Sequence, residues 1–190
     1  GQVCISVQRV FVHASIFDNF LERLISETQT FIPGDPLDEN VTMGPMIDQE
    51  SAKRIESWVN EAVAEGAKIL IGGNRDNNYY PPTILTNVNP NLPVACSEAF
   101  GPILIVNSYT NFNDAIKAVN NTDFGLQAGV FTNNKVWVDQ DGRESVRCDR
   151  GDGLAFDLVR AFQKKGIINA EFFILSKETN PVVLARANKL

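Results

Sequence analysis

Hydrophobic and polar residues alternate along the chain between short apolar runs and segments with helical spacing. β-branched and aromatic residues at positions 8–13 predict a strand. Ser15, with Asp18 three residues later, predicts the N-cap of a following helix. The apolar stripe of that helix consists of Phe17, Phe20, Leu21, Leu24 and Ile25. The Gly- and Pro-rich stretch 33–45 predicts a loop that separates this helix from the next element.

A second helix is predicted after Asp48, which is a suitable N-cap residue, and before Gly66, which is suited to a helix C-terminus. Its apolar stripe consists of Ala52, Ile55, Val59, Ala62 and Val63. Residues 68–71 then predict a short strand. The glycine pair that follows, at 72–73, lacks both GxGxxG spacing and a following helix, so it predicts a turn rather than a phosphate-binding loop.

The next predicted elements are a strand near 83–88, a continuously apolar run at 103–106 and a helix at about 112–120, with Ile116 and Val119 facing inward. An uninterrupted apolar run is typical of a parallel strand that is buried on both faces. Strands that alternate with helices in this way predict an α/β fold, a three-layer sandwich with a mostly parallel sheet.

Composition narrows the functional classes. A chain of 190 residues with 44% hydrophobic content is long enough for one compact domain. The net charge of −6 and the scattered distribution of the 17 Lys and Arg residues argue against a nucleic-acid surface. No apolar run approaches the roughly 20 residues that span a bilayer, and no secretory signal is visible. We therefore expect a cytoplasmic protein that binds neither nucleic acid nor membrane.

Cysteine and histidine are too sparse for a metal site. Cysteines stand at positions 4, 96 and 148, and His13 is the sole histidine, so none of the paired spacings of zinc sites is present. We expect no bound metal and no disulfide framework. His13, at the end of a predicted strand, is expected to be structural. Cys4 lies between Val3 and Ile5, where an isolated cysteine is more often an inert buried thiol than a nucleophile.

The run GQVCISVQRV at 1–10 changes that interpretation, because it resembles the active-site cysteine segment of the NAD(P)-dependent aldehyde dehydrogenases. Further segments resemble that family in the same order along the chain: 34–36 with 44–47, then 80–85, then Ser97-Glu98-Ala99-Phe100-Gly101-Pro102, then Gly125 to Thr132. Each segment is weakly specific alone, and their order is the stronger signal. The resemblance covers residues 1 to about 134 and is closest to succinate-semialdehyde-dehydrogenase-like members.

The resemblance implies a truncated aldehyde dehydrogenase catalytic domain that oxidises a small-molecule aldehyde to a carboxylic acid. Cys4 would attack the carbonyl as a thiolate and form a thiohemiacetal, and hydride transfer would leave a thioester that water hydrolyses. Glu98 would contact the nicotinamide ribose of NAD or NADP, and Phe100 would lie near the nicotinamide. Without the motif, Glu98 would be interpreted as a solvated surface carboxylate and Phe100 as a core ring.

The resemblance also implies what these 190 residues do not contain. The family's cofactor-binding half, with its oxyanion asparagine and general-base glutamate, does not precede Gly1 in this sequence. We therefore expect no tight cofactor binding and negligible turnover by this chain alone. The family's sheets pair across subunits, so we expect a homo-oligomer.

Residues 135–190 depart from the family pattern. We interpret 1–134 as an aldehyde dehydrogenase catalytic-domain fragment and 135–190 as a divergent segment packed on the same domain. Within the divergent segment, 154–162 shows the spacing of a helix face, 172–175 predicts a strand, and Cys148 is expected to be an ordinary exposed thiol.

Two other functions stay open. One is a non-catalytic remnant that self-associates through its exposed domain face. The other is a cofactor-independent thiol hydrolase that uses Cys4, which is the weakest hypothesis because a suitable histidine base is missing.

Overall fold

The computed structural model describes residues 1–126 and 128–131. The chain divides into two compact units, of which the first comprises Gly1–Ala115 and Asn121–Phe124. The described part of the second consists of Ile116–Asn120 and a few residues from Gly125 onward. The predictions for 135–190, including Cys148, lie outside the described residues. No helix in the described ranges is long and apolar enough to cross a membrane.

The described part of the chain contains the strands and helices that hydrophobic periodicity predicts, together with one short helix that it does not. In chain order they are β1 (Arg9–His13), a 3-10 turn (Ala14–Ile16), α1 (Phe17–Thr28), α2 (Gln49–Ala64), β2 (Lys68–Ile71), β3 (Thr83–Thr86), α3 (Pro93–Cys96), β4 (Ile103–Tyr109) and α4 (Phe112–Asn120). The unpredicted element is α3, which has only four residues and begins at a proline.

The four strands form one sheet in the order β1-β4-β3-β2. β4 is parallel to both β1 and β3, whereas β2 pairs with β3 in antiparallel orientation. The parallel β1–β4 pairing aligns Arg9 with Ile105 and His13 with Tyr109. The predicted mostly parallel sheet is therefore confirmed.

Helices cover both faces of this sheet within the first unit. Successive residues of a strand point to opposite faces, and Ile84 and Leu85 of β3 accordingly belong to different core clusters. The cluster on one face includes Leu85 and residues of α2 and β4, namely Ala52, Ile55, Val59, Ala62, Ile103 and Ile105. The cluster on the other face includes Ile84 and the predicted α1 stripe, namely Phe17, Phe20, Leu21, Leu24 and Ile25. These two clusters confirm the three-layer sandwich.

The beginning of α1 differs from the prediction. Ser15 is not the N-cap, because the chain first makes the 3-10 turn and the residue before α1 is Ile16, which has no capping side chain. The backbone N–H of Ser15 instead donates to His13 Nδ1 at 3.3 Å. His13 caps the 3-10 turn as the strand ends and so takes the position that the sequence pattern gave to serine.

The predicted ends of α2 are confirmed. Asp48 Oδ1 accepts a hydrogen bond from the backbone N–H of Ser51 at 2.7 Å. At the other end Gly66 has φ +99°, which lets the Ala67 N–H reach the Ala62 carbonyl at 2.9 Å. The predicted stripe is wrong for Val63, which is 41% exposed. It follows Ala62 directly, and about 3.6 residues per turn rotate it away from the sheet.

The Asp48 cap predicts a specific acid sensitivity. The hydrogen bond from Ser51 lowers the pKa of the Asp48 carboxyl from its ordinary 3.8. A lowered folded-state pKa means that the stabilisation is complete above the ordinary value and is lost as the pH falls through the lowered one. Asp48→Asn keeps a neutral capping oxygen, so we expect its thermal unfolding midpoint to fall less steeply below about pH 4 than that of the unsubstituted chain. Parallel acid-side slopes in thermal melts would contradict this assignment.

Candidate functional site

Cys4 lies in a β-turn that leads into β1. The backbone N–H of Ser6 donates to the Val3 carbonyl at 3.0 Å, which places Cys4 and Ile5 at the two central positions of the turn. The Cys4 side chain is exposed. Cys4 is therefore not the buried thiol that its apolar neighbours suggest when considered alone.

Glu98 and Phe100 lie in the short connection between α3 and β4, and both side chains are exposed. Phe100 is 42% exposed, so it is not a core ring. Its φ of +45° is in the left-handed region, which a bulky residue adopts only when its surroundings compensate for the strain. Strained backbone of this kind is concentrated at functional sites.

The Cys4 turn and the Glu98–Phe100 connection meet at one end of the sheet, where β1 and β4 begin. β1 and β4 are parallel neighbours, so the segments that precede them enter the sheet from the same end. Gly1 lies directly against Gly101, and a Cβ on Gly1 would overlap the Gly101 carbonyl oxygen. The structure thus brings the cysteine segment into backbone contact with the motif that contains the other two predicted site residues.

Gln8 joins the same two segments through its side chain. Its Nε2 donates to the Val94 carbonyl at 2.9 Å and to the Ser97 carbonyl at 2.8 Å. Its Oε1 accepts from the backbone N–H of Ala99 at 3.0 Å. From the sequence alone, Gln8 is the first residue of a predicted strand, and its position between Val7 and Arg9 gives no signal of the partner that it binds.

Two further polar side chains bind the backbone around the site. Arg54, on α2, donates to the Ala99 carbonyl at 2.7 Å, and its guanidinium lies 4.6 Å from the centre of the Trp58 ring. Gln2 binds a different loop, donating to the Pro45 carbonyl at 3.0 Å and accepting from the Ile47 N–H at 2.8 Å. Loops that lack sheet hydrogen bonds are here ordered by side chains instead.

A partly buried cation, Arg9, lies at the start of β1. Desolvation lowers the pKa of the Arg9 guanidinium, while its electrostatic interaction with Cys96 acts in the opposite direction. Arginine remains charged at neutral pH even after such a shift. The amino end of β1, next to the candidate site, therefore has a fixed positive charge, which lies close enough to Cys96 to interact with it.

His13 and the acidic residues do not form a second reactive centre in the described part of the chain. His13 ends β1, whereas the Cys4 turn leads into the start of that strand. Its ring lies edge-on to Tyr109, with 5.4 Å between the ring centres. Among residues 1–126 and 128–131, no group of three or more His, Cys, Asp or Glu side chains is arranged to hold a metal ion.

Comparison with known proteins identifies the family. The sequence profile of the aldehyde dehydrogenase family matches residues 1–140. The 3-sulfolactaldehyde dehydrogenase of Priestia aryabhattai is 48% identical over 144 residues, which are 76% of this chain and 30% of that protein. Aldehyde dehydrogenase 21 from Physcomitrella patens, solved in complex with the reaction product succinate, gives a TM-score of 0.68 at 40% identity and covers 70% of this chain and 28% of its own.

A third relative was solved with a cofactor. Betaine aldehyde dehydrogenase from Staphylococcus aureus, in complex with NAD+, gives a TM-score of 0.65 at 33% identity and covers 69% of this chain and 27% of its own. The chain therefore spans less than a third of the length of these relatives. The profile match to residue 140 includes the five resembling segments and extends slightly beyond the boundary of about 134. This chain belongs to the aldehyde dehydrogenase family.

Proposed function

We propose that this chain is the catalytic-domain part of an NAD(P)-dependent aldehyde dehydrogenase that oxidises a small aldehyde to a carboxylic acid. The observation that supports this most directly is the exposed Cys4 turn in backbone contact with the segment of Glu98 and Phe100. The names of the relatives add that similar chains act on lactaldehyde and 3-sulfolactaldehyde. Oxidation of an aldehyde through a covalent thiol adduct requires a nucleophilic thiol beside the residues that contact the cofactor.

Cys4 is the proposed nucleophile. Its thiolate forms a carbon–sulfur bond to the aldehyde carbon, and the carbonyl oxygen becomes an oxyanion. The oxidised nicotinamide, when bound, supplies the hydride acceptor that turns this adduct into a thioester. Water then attacks the thioester, the carbon–sulfur bond breaks, and the acid leaves with the thiolate restored. Because Cys4 has a central position in a turn at the surface, its sulfur is accessible to a small carbonyl compound.

The backbone N–H of Cys4 is the proposed oxyanion donor. Within the described part of the chain it donates no hydrogen bond, because the turn bond is made by Ser6. A free N–H beside the attacking sulfur is placed to stabilise charge that develops on the carbonyl oxygen. One donor is incomplete as an oxyanion site, and the family resemblance assigns the second to an asparagine outside these 190 residues.

Glu98 and Phe100 are the proposed cofactor contacts. Both side chains are exposed, while Ala99 between them is only 2% exposed, so the backbone is anchored and the two side chains point away from the core. The Glu98 carboxylate offers an acceptor for ribose hydroxyls, and the Phe100 ring offers an apolar surface for a nicotinamide ring. Two residues do not bind a dinucleotide tightly, so the cofactor requires the other half of the enzyme.

Thiol labelling tests the proposed nucleophile. With a limiting amount of alkylating agent, we expect Cys4 to react before Cys96, because Cys4 is exposed whereas Cys96 is half-buried and contacts the Asn91 carbonyl at 3.5 Å. A reactive aldehyde should protect Cys4 and leave the labelling of Cys96 unchanged. Peptide mapping by mass spectrometry separates the sites. Equal labelling of the two cysteines, or no protection by aldehyde, would count against Cys4 as a nucleophile.

The proposed activity can be tested in a chimera that adds a part of a relative that this chain does not span. The part of the Priestia 3-sulfolactaldehyde dehydrogenase that precedes the matched region is fused to Gly1, and NAD(P)+ reduction is followed with a panel of small aldehydes. We expect turnover by the chimera and negligible turnover by the 190-residue chain. Cys4→Ser in the chimera should lower kcat by roughly three orders of magnitude or more. An active Cys4→Ser chimera, or a folded chimera without turnover, would refute the proposal. Turnover by the unfused chain would refute only the expected dependence on the added part.

A non-catalytic, self-associating protein is the second candidate. Several large apolar side chains of the first unit are strongly exposed, among them Leu37 at 90%, Ile47 at 83% and Val7 at 64%. A contiguous apolar surface is typical of an interface, and the second candidate assigns Leu37 and Ile47 to one. The proposed homo-oligomeric enzyme and the non-catalytic remnant would both self-associate through this surface. Only the enzyme hypothesis predicts an active chimera.

Sedimentation measures whether this surface self-associates. We expect the apparent mass of the 190-residue chain to rise with concentration, and a double substitution Leu37→Ser with Ile47→Ser to reduce that rise because it removes exposed apolar area without touching the core. The control is Asn40→Ser, which changes an exposed polar residue on the same loop as Leu37. A control in the core, such as Val59→Ser, would destabilise the fold because Val59 is fully buried. A constant monomer mass over the whole concentration range would exclude self-association.

The cytoplasmic location stays a prediction from sequence.

A further inference from the structure

We propose that Gln8 is a positioning residue that sets where Glu98 and Phe100 lie relative to Cys4. Gln8 follows Cys4 by four residues and binds a segment 91 residues further along the chain. The inference rests on the proposed function, because it concerns the residues to which that function assigns the thiol and cofactor contacts. Gln8 itself touches none of the reacting groups in this assignment and acts through the backbone that it binds.

The hydrogen-bonding capacity of the glutamine side chain matches its surroundings. An amide side chain has two N–H donors and one carbonyl acceptor. Here both donor functions are used, on the Val94 and Ser97 carbonyls, and the acceptor is used by the Ala99 N–H. A carboxylate would place negative charge against two carbonyl oxygens, and an apolar side chain would leave three backbone groups without partners. Neither replacement preserves this set of contacts.

The backbone of Gln8 is fixed as well as its side chain. Its carbonyl accepts a hydrogen bond from the Ile105 N–H at 2.9 Å, which attaches the residue to β4. The Cys4 turn therefore connects, within four residues, to a position that is bound to the sheet through its main chain and to the α3–β4 connection through its side chain. Movement of one segment relative to the other has to break these bonds.

The residue that Gln8 binds lies between the two proposed cofactor contacts. Ala99 donates to Gln8 through its N–H and accepts from Arg54 through its carbonyl, so its backbone is held by side chains on both sides. Glu98 and Phe100 flank this held residue. Phe100 maintains a left-handed φ, which requires support from its neighbours. Loss of the Gln8 contacts should therefore let both exposed side chains shift.

Gln2 provides a matched control within the same segment. It too is a glutamine near Cys4 that uses its side chain to bind backbone, but its partners are Pro45 and Ile47. Replacing Gln2 removes contacts from the cysteine segment without touching the backbone of 94–99. Gln8→Met and Gln2→Met keep similar side-chain length and differ in which loop they release.

The first test measures the spacing of the site directly in the full 190-residue chain. Spin labels are attached to Cys4 and to a cysteine introduced by Glu98→Cys, with Cys96→Ser and Cys148→Ser preventing other labelling. Electron paramagnetic resonance then gives the distribution of distances between the labels. We expect Gln8→Met to broaden or shift this distribution more than Gln2→Met does at matched thermal stability, because of the two side chains only Gln8 binds the segment that carries position 98. Equal broadening by both variants, or none by Gln8→Met, would overturn the inference.

The second test needs no substitution, so it holds even where Gln8→Met fails to fold. Hydrogen exchange is measured at the Ala99 and Cys4 amides of the unsubstituted chain. One net hydrogen bond predicts exchange at Ala99 slower by about fivefold or more than at Cys4, each relative to its unfolded-chain rate. Comparable relative rates would contradict the bond to Gln8. Neither test depends on turnover, and the exchange test does not depend on thiol reactivity either. Failure of the thiol labelling or of the chimera, with slow exchange at Ala99, would therefore reject the proposed function and retain the positioning role.

Discussion

The parallel pairing of β1 with β4 is the constraint on which the rest of the site depends. It places two segments from distant parts of the chain side by side, each just before its strand begins. In open α/β sheets ligands usually bind beyond the carboxyl ends of parallel strands. Here the candidate site lies at the amino ends of β1 and β4, where the entering chain has no strand partners and must be ordered in another way.

Side chains provide that order. Gln8, Arg54 and Gln2 all bind backbone groups of loops, and together they replace the ladder hydrogen bonds that these segments lack. A single hydrogen bond contributes only about 1 kcal/mol net, but an unpaired buried backbone group costs more than that. The site is consequently held less by apolar burial than by a small number of polar contacts, each of which is individually removable.

Hydrophobic periodicity was sufficient to predict the layers of the first unit. The α1 stripe and the apolar run that begins β4 face the core as expected, because burial of apolar area dominates at those positions. Motif resemblance was sufficient to predict the family, which the profile match confirms, whereas the role of Cys4 stays a prediction. The predicted N-cap at Ser15 is wrong, because the chain makes a 3-10 turn before α1 and His13 caps that turn.

The role of Gln8 and the left-handed backbone of Phe100 were not accessible from sequence. Both depend on the contact between segments about 90 residues apart, and neither residue type has a local preference that announces it. The residues beside Gln8 in sequence do not indicate its partners, and only the fold shows that it binds Val94, Ser97 and Ala99. Hydrogen bonds between distant segments are the part of the structure that is hardest to predict from patterns in a single sequence.

The long separation between Gln8 and Ala99 also has a consequence for the order in which the chain folds. Only residues 72–82 separate β2 from β3, so their antiparallel pair closes a much smaller loop than the β1–β4 pair and has a lower entropic cost. β1 must wait for a partner that is made almost a hundred residues later, and contacts of that span slow folding. Cys4, the proposed nucleophile, therefore lacks the neighbours of the folded site until β4 has been made, and its thiol is open to oxidation over that interval.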